Sequence, residues 1–255
     1  MPNAPAPRGI SALGILLLIV IVPAVAGCKG GIFRQFEYDE DIYLSLDGSA
    51  TIDVNGSLPA LRALRGFDVS LNPNARFDRE RIAEQFSGPV TRVVRVTSSR
   101  QHGRRFAHVR IEVADIHRLP TSPAFAWARV RFERMGDLYR YREDLGPSTN
   151  LPVGNVGWTG GELVAFRLHL PSKIVYHNAG EDNLRRGNIL VWEQPLQARL
   201  AGEPVEMEVR MEPTSILYWT LWLFAGSMLA AFSLLGLIIL WVVKRGKDRL
   251  ADTTA

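Results

Sequence analysis

The chain has 255 residues, a formal net charge of +4 and one cysteine. Between two apolar stretches near its ends, residues 29–215 hold 25 basic and 24 acidic side chains, a difference of only +1. This balance gives no support to nucleic-acid binding, and a single cysteine excludes a domain that is held together by internal disulfides.

The first apolar stretch has the pattern of a bacterial lipoprotein signal. Residues 15–22 are an unbroken aliphatic run, and Val25, Ala26 and Gly27 stand directly before Cys28. A signal peptide combines a basic start, an apolar middle and small residues at the cleavage site. We predict cleavage after Gly27 and acylation of the Cys28 thiol with palmitate-type chains; the alternative is an uncleaved transmembrane helix.

Local patterns then predict an α+β domain with a largely antiparallel sheet and two or three short helices. Alternating apolar residues indicate strands, Asp47-Gly48 indicates a hairpin turn, and Ser57 and Asp78 are typical helix N-caps. The first half is predicted to hold strands 36–46 and 50–54, helices 58–65 and 79–86, and a hairpin over 90–114 that turns at His102-Gly103. The second half is predicted to hold a hairpin of strands 127–132 and 138–142, a loop over 146–161, and strands 163–170, 188–192 and 205–211.

The second apolar stretch, residues 216–243, contains no charged side chain. As a helix it would be about 42 Å long, more than the roughly 30 Å that a hydrocarbon core requires. Tyr218, Trp219 and Trp222 at one end and Trp241 at the other are typical of membrane interfaces, and basic residues follow at once. We predict a single membrane span in the cytoplasmic membrane, with the domain on the extracytoplasmic face and the C-terminus in the cytoplasm.

The chain therefore divides into two anchors with a domain between them. The predicted parts are a signal peptide at 1–27, a lipidated N-terminus and linker at 28–35, an extracytoplasmic domain at 36–212, a transmembrane helix at 216–243 and a basic cytoplasmic tail at 244–255. The linker reaches at most about 26 Å when fully extended, so we expect the domain to lie against the outer face of the membrane.

One segment of the domain resembles a known family. The stretch from Phe166 to Gly180 reads FRLHLPSKIVYHNAG and is followed by Gly187-Asn188 and Val191-Trp192. This pattern, together with the lipoprotein signal and the C-terminal span, is similar to the LppM-like bacterial lipoproteins. The resemblance implies an α/β extracytoplasmic domain that contacts lipids or glycolipids at the cell envelope, and it implies no catalytic residues.

The sequence offers little catalytic chemistry. None of the five histidines has the spacing of a zinc site, and neither a Gly-x-Ser-x-Gly elbow nor a phosphate-binding glycine loop is present. Asp39, Glu40 and Asp41 alternate along a predicted strand, and we interpret them as a solvated edge. We predict a protein that is not an enzyme and that holds no metal and no cofactor.

The most unusual charge feature is the segment from Gln85 to Ile111, which contains no acidic residue but six arginines. A basic hairpin near a membrane would hold anionic headgroups, with about 1 kcal/mol from each basic residue near the surface. The alternative is that these side chains face several directions and pair with acids elsewhere in the domain. The six arginines are Arg92, Arg95, Arg100, Arg104, Arg105 and Arg110.

These observations lead to one functional hypothesis and one rival. We predict an envelope lipoprotein whose domain contacts lipid headgroups or amphiphiles, with membrane lipids as its partners and no nucleic acid. The rival is an interaction or assembly module that binds another membrane protein.

Overall fold

The structure, a computed structural model, describes residues 34–72, 74–180, 184–185 and 188–253. The predicted lipidation site Cys28 and the cleavage residues Val25, Ala26 and Gly27 lie outside these residues. Side chains are described up to Val243, with the exception of those in the short strand 184–185.

The domain contains two sheets that pack face to face. The larger sheet has seven strands in the order β3-β4-β2-β1-β7-β10-β9, and the smaller has four in the order β5-β6-β11-β8. One hydrophobic cluster contains residues from both sheets, including Ile52, Val54, Met207 and Val209. The strands are β1 Phe36–Leu44, β2 Ala50–Ser57, β3 Thr91–Gln101, β4 Arg104–Val113, β5 Ala128–Met135, β6 Leu138–Leu145, β7 Leu163–His169, β8 Ser172–His177, β9 Leu184–Arg185, β10 Ile189–Pro195 and β11 Val205–Ser215.

Four α-helices and two 3-10 turns complete the described chain. The helices are α1 Leu58–Arg65, α2 Arg79–Phe86, α3 Leu196–Leu200 and α4 Ile216–Thr253, and the 3-10 turns are Ile116–Thr121 and Pro123–Phe125. The predicted α+β class is therefore confirmed. The strands form two sheets instead of one, because each sheet has one apolar face that it must bury against another element.

The predicted caps explain why α1 and α2 begin and end where they do. The hydroxyl of Ser57 accepts the Ala60 N–H at 3.2 Å, and Gly66 ends α1 in the left-handed region at a φ of 74°. The Asp78 carboxylate accepts the Arg81 N–H at the start of α2. Both helices span the residues that the sequence predicts.

Two sequence interpretations need correction. The sequence predicts no strand between residues 170 and 188, yet Ser172–His177 form strand β8, which pairs with β11. The acidic triplet is not a solvated edge, because β1 lies between β2 and β7 and Glu40 is buried. Asp39 and Asp41 point to the opposite face, where both pair with Arg167. Alternation along β1 does send Glu40 to one face and Asp39 and Asp41 to the other, but the position of β1 inside the sheet is not visible in local sequence.

The C-terminal helix α4 continues directly from β11 and includes the predicted span. Ile216–Val243 is long and apolar enough to cross a membrane, and none of it is buried against the domain. Its length and composition are compatible with membrane association.

A tightly packed glycine gives a first test of this fold. A Cβ on Gly88 would lie 2.4 Å from Oγ and 2.9 Å from Cα of the buried Ser122, so Gly88→Ala should lower the free energy of unfolding by about 1–3 kcal/mol. At Gly161 the nearest atom would be 3.9 Å away, so Gly161→Ala should change it by less than about 0.5 kcal/mol. Proteolytic susceptibility of the full chain across a urea series would measure both. Equal stability of the two variants would contradict the described packing.

Candidate functional site

The six arginines of the β3–β4 hairpin do not form one patch. Arg92 pairs with Glu112, and Arg110 pairs with Asp53 through two bonds of 2.7 and 2.5 Å. Arg95 lies opposite Arg110 in the register and is exposed. Arg100 is also exposed and lies opposite Arg105 at the end of the hairpin.

Arg104 is buried and makes a structural ion pair. Its Nε and Nη2 donate to Glu37 Oε1 at 3.0 and 2.7 Å, and its Nη1 donates to the carbonyls of Val156 and Gly157. The other carboxylate oxygen of Glu37 accepts the indole N–H of Trp158 at 3.1 Å. This arrangement ties the start of β4 to β1 and to the long loop that follows β6.

Arg105 points to the opposite face of β4, as alternation along a strand requires. It is half-buried, and its guanidinium donates to the backbone carbonyl of Ala75. Ala75 belongs to the connection between α1 and α2. The hydrogen bond therefore holds that connection beside the end of the β3–β4 hairpin.

A groove runs along this contact. It consists of three adjoining cavities of about 810, 380 and 220 Å³ that share lining residues. The 810 and 380 Å³ cavities meet at Arg76, Phe77 and Asp78, and the smallest joins the 380 Å³ cavity at Leu58, Ser70 and Arg105. Binding sites for small organic ligands have volumes of roughly this size.

The groove has an apolar floor and a charged rim. The apolar lining residues come from α1, α2 and their connection, and they are Leu58, Pro59, Val69, Leu71, Phe77 and Ile82. On the rim, Arg81 pairs with Asp68. Arg76 and Arg79 are exposed, and among the described residues neither has an ion-pair or hydrogen-bond partner for its guanidinium. Asp78 and Glu80 lie on the same rim, so the groove offers free cationic groups and carboxylates beside buried apolar surface.

A buried ionic network fixes the position of α1, and with it the floor of the groove. Arg65, the last residue of α1, has a side chain that is only 1% exposed. Its guanidinium donates to the Tyr38 hydroxyl, the Glu40 carboxylate and the Ala124 carbonyl. Tyr38 also donates to Glu40 at 2.6 Å. The C-terminal end of α1 is thus tied to β1 and to the 3-10 turn Pro123–Phe125.

The smaller sheet contributes a second carboxyl group to this region. Burial, and after it the nearby Glu40, raise the pKa of Glu143 to about 8, although the hydrogen bond from Tyr141 opposes the rise. The Trp127 ring lies within 4.1 Å of the Arg65 guanidinium carbon and 4.8 Å of that of Arg199. Burial and, to a smaller extent, repulsion from Arg65 lower the pKa of Arg199 to about 10, so Arg199 still carries its charge at neutral pH.

The outer face of the larger sheet carries a chain of hydrogen bonds that superficially resembles a catalytic arrangement. Ser99 Oγ lies 2.7 Å from His108 Nε2, His108 Nδ1 lies 2.7 Å from Asn55 Oδ1, and Asn55 donates to Asp39 at 2.8 Å. A nucleophile needs a neighbouring base and a third orienting group. These side chains stand on a sheet face, however, and line none of the cavities described above. We interpret them as cross-strand contacts.

The groove was not predicted from the sequence. Its floor depends on Val69, Leu71 and Phe77, which are apolar residues in a connection between helices. The sequence signal that could have indicated the groove is the presence of these apolar residues in a loop. Within the described ranges, no three His, Cys, Asp or Glu side chains come together as metal ligands would.

The raised pKa of Glu143 gives a pH-dependent prediction. Between about pH 4.5 and 8 the folded chain binds more protons at Glu143 than the unfolded chain, so this group makes the protein less stable as the pH rises. The contribution is at most about 1.4 kcal/mol per pH unit. In Glu143→Gln this contribution should vanish, and the variant should gain stability over wild type as the pH rises through this window. Urea unfolding at several pH values would measure it; Glu133→Gln, at an exposed position, should track the wild type throughout.

Comparison with known proteins adds little to this picture. No protein-family model matches the chain, and no curated protein matches it. Among solved structures, the chain is similar to the NMR structure of the folded domain of LppM from Mycobacterium tuberculosis. The match covers 74% of this chain and 96% of that domain, with a TM-score of 0.39 and 11% sequence identity. The name is that of the family that the sequence resembles, but a similarity this low carries no argument about function.

Proposed function

We propose that this chain is a membrane-anchored, non-enzymatic envelope protein whose domain binds an amphiphile with an anionic head in the groove between the α1–α2 connection and the β3–β4 hairpin. The observation that carries the proposal is the apolar floor beside the exposed, unpaired guanidinium groups of Arg76 and Arg79. The membrane lipids predicted as partners are amphiphiles of this kind.

Each half of such a ligand has a physical counterpart in the groove. An alkyl chain gains about 0.8 kcal/mol for each CH₂ that it buries, and Phe77, Val69 and Leu71 supply the apolar surface. A phosphate or carboxylate head accepts charge-assisted hydrogen bonds from guanidinium groups, which are stronger than neutral ones. Asp68 neutralises Arg81 and so leaves Arg76 and Arg79 to supply the cationic groups for the head.

The anchors are part of the proposal. The apolar segment of α4 is proposed to cross the membrane with the basic tail inside the cell. Acylation at Cys28, or a retained N-terminal helix, would hold the other end. The domain is then confined to the extracytoplasmic surface, where lipids are the most abundant amphiphiles.

Binding of dodecyl phosphate to the purified full chain in a neutral detergent would test the proposal. Arg76→Gln should weaken this binding about tenfold, because a charge-assisted hydrogen bond contributes about 1.5–3 kcal/mol. Phe77→Ala should weaken it to a similar extent through the loss of apolar contact. Arg129→Gln is the matched control, since this exposed arginine lies on β5 outside the groove and its loss removes the same charge.

The outcomes separate the two halves of the ligand. Inorganic phosphate alone should bind far more weakly than dodecyl phosphate. Each groove variant should weaken the binding of inorganic phosphate by no more than it weakens the binding of dodecyl phosphate. Equal loss of binding in Arg76→Gln and Arg129→Gln would mean that the net charge of the chain alone explains the weaker binding, and it would overturn the proposal. Unchanged binding in both groove variants would overturn it as well.

A further inference from the structure

The two anchors are attached to opposite ends of the larger sheet. At one end, the Ile216 N–H at the start of α4 donates to the Pro171 carbonyl at 3.0 Å, directly after β7. Strand β1 runs parallel to β7, and Tyr43 near its end lies beside His169 at the end of β7. The membrane helix therefore begins next to the C-terminal end of β1.

The N-terminal linker meets the sheet at the other end. It joins β1 at Phe36, which lies beside Leu163 at the start of β7. One residue further, Glu37 binds Arg104 at the start of β4. Gly103, Arg104 and Arg105 line the smallest of the three adjoining cavities. The groove thus lies at the end of the domain that the N-terminal linker holds.

The lengths of the linker and of β1 restrict how the domain can stand. The eight intervals from Phe36 to Leu44 of β1 span about 26 Å. If the strand stood upright on the start of α4, Phe36 would be about 26 Å or more above the membrane surface. The linker of residues 28–35 reaches this height only when it is fully extended, at about 26 Å, and full extension costs it conformational entropy. The linker therefore favours a domain that lies lower, along the membrane.

We infer that the domain lies along the membrane, with the groove end held against the outer leaflet, and that the groove takes its amphiphile directly from that leaflet. The posture follows from the two attachment points and from an N-terminal anchor at Cys28. The identity of the cargo as a lipid of the same membrane rests on the proposed function. Arg76 and Arg79 are exposed at this end, where each basic side chain gains about 1 kcal/mol near an anionic surface.

A fluorescence quenching experiment on the full chain in vesicles tests the posture. A fluorophore is placed on Asn74→Cys, an exposed position in the α1–α2 connection, and the vesicles contain lipids with a quencher on the headgroup. Quenching should be strong with the natural linker. A flexible Gly/Ser insertion of about twenty residues after Lys29 keeps both anchors but adds a root-mean-square span of about 25 Å, so quenching should fall several-fold.

A second labelling site controls for reconstitution. Lys173→Cys lies beside the start of α4, its side chain is 74% exposed, and its quenching should be the same with either linker. Weak quenching at Asn74→Cys with the natural linker, or quenching that the insertion does not change, would overturn the inference.

Transfer of a fluorescent anionic lipid from the membrane of the same vesicles into the groove tests whether the ligand comes directly from the leaflet. The natural linker should give several-fold faster transfer than the extended one, whereas binding of dissolved dodecyl phosphate should be equal in the two. Equal transfer rates would overturn direct uptake from the leaflet. Normal dodecyl phosphate binding in that case would leave the groove's function standing, whereas loss of dodecyl phosphate binding by both chains would refute the proposed function itself.

Discussion

The rest of the domain depends on the buried ion pair between Arg65 and Glu40. Charges removed from water cost several kcal/mol each, and they are tolerated only when pairing and hydrogen bonds compensate them. Here Tyr38 and the Ala124 carbonyl complete the shell, and the Trp127 ring covers the guanidinium. Because Arg65 ends α1 while Glu40 lies on β1, the pair fixes how the helix is placed against the sheets. Leu58 and Pro59 of that helix form part of the floor of the groove.

Most of the arginines of the β3–β4 hairpin are also used internally. Arg104 holds Glu37 and the loop after β6, Arg105 holds the α1–α2 connection, and Arg110 holds Asp53 on the neighbouring strand. The arginines that cluster in the sequence of the β3–β4 hairpin therefore make separate structural contacts in the folded domain. Arg76 on the α1–α2 connection and Arg79 in the first turn of α2 stay exposed beside the groove.

Features that depend on neighbouring residues could be predicted well from the sequence. The caps at Ser57, Gly66 and Asp78 define α1 and α2, and the turn at His102-Gly103 defines the β3–β4 hairpin. Features that depend on distant residues could not. The parallel pairing of β1 with β7 joins residues more than 120 positions apart, and it is this pairing that places Glu40 in the interior. The groove was missed for the same reason, since its lining comes from separate parts of the chain.

The sequence by itself determined the local elements, the α+β class and the apolar segment of α4, because caps, turns and hydrophobic periodicity act over a few residues. Only the tertiary structure decided which charges are buried, which arginines remain free and where the groove lies. These features depend on which strands become neighbours, and the pairing of strands is determined by the burial of the apolar faces of both sheets against each other. The tertiary structure also placed the start of β1 and the start of α4 at opposite ends of the neighbouring strands β1 and β7.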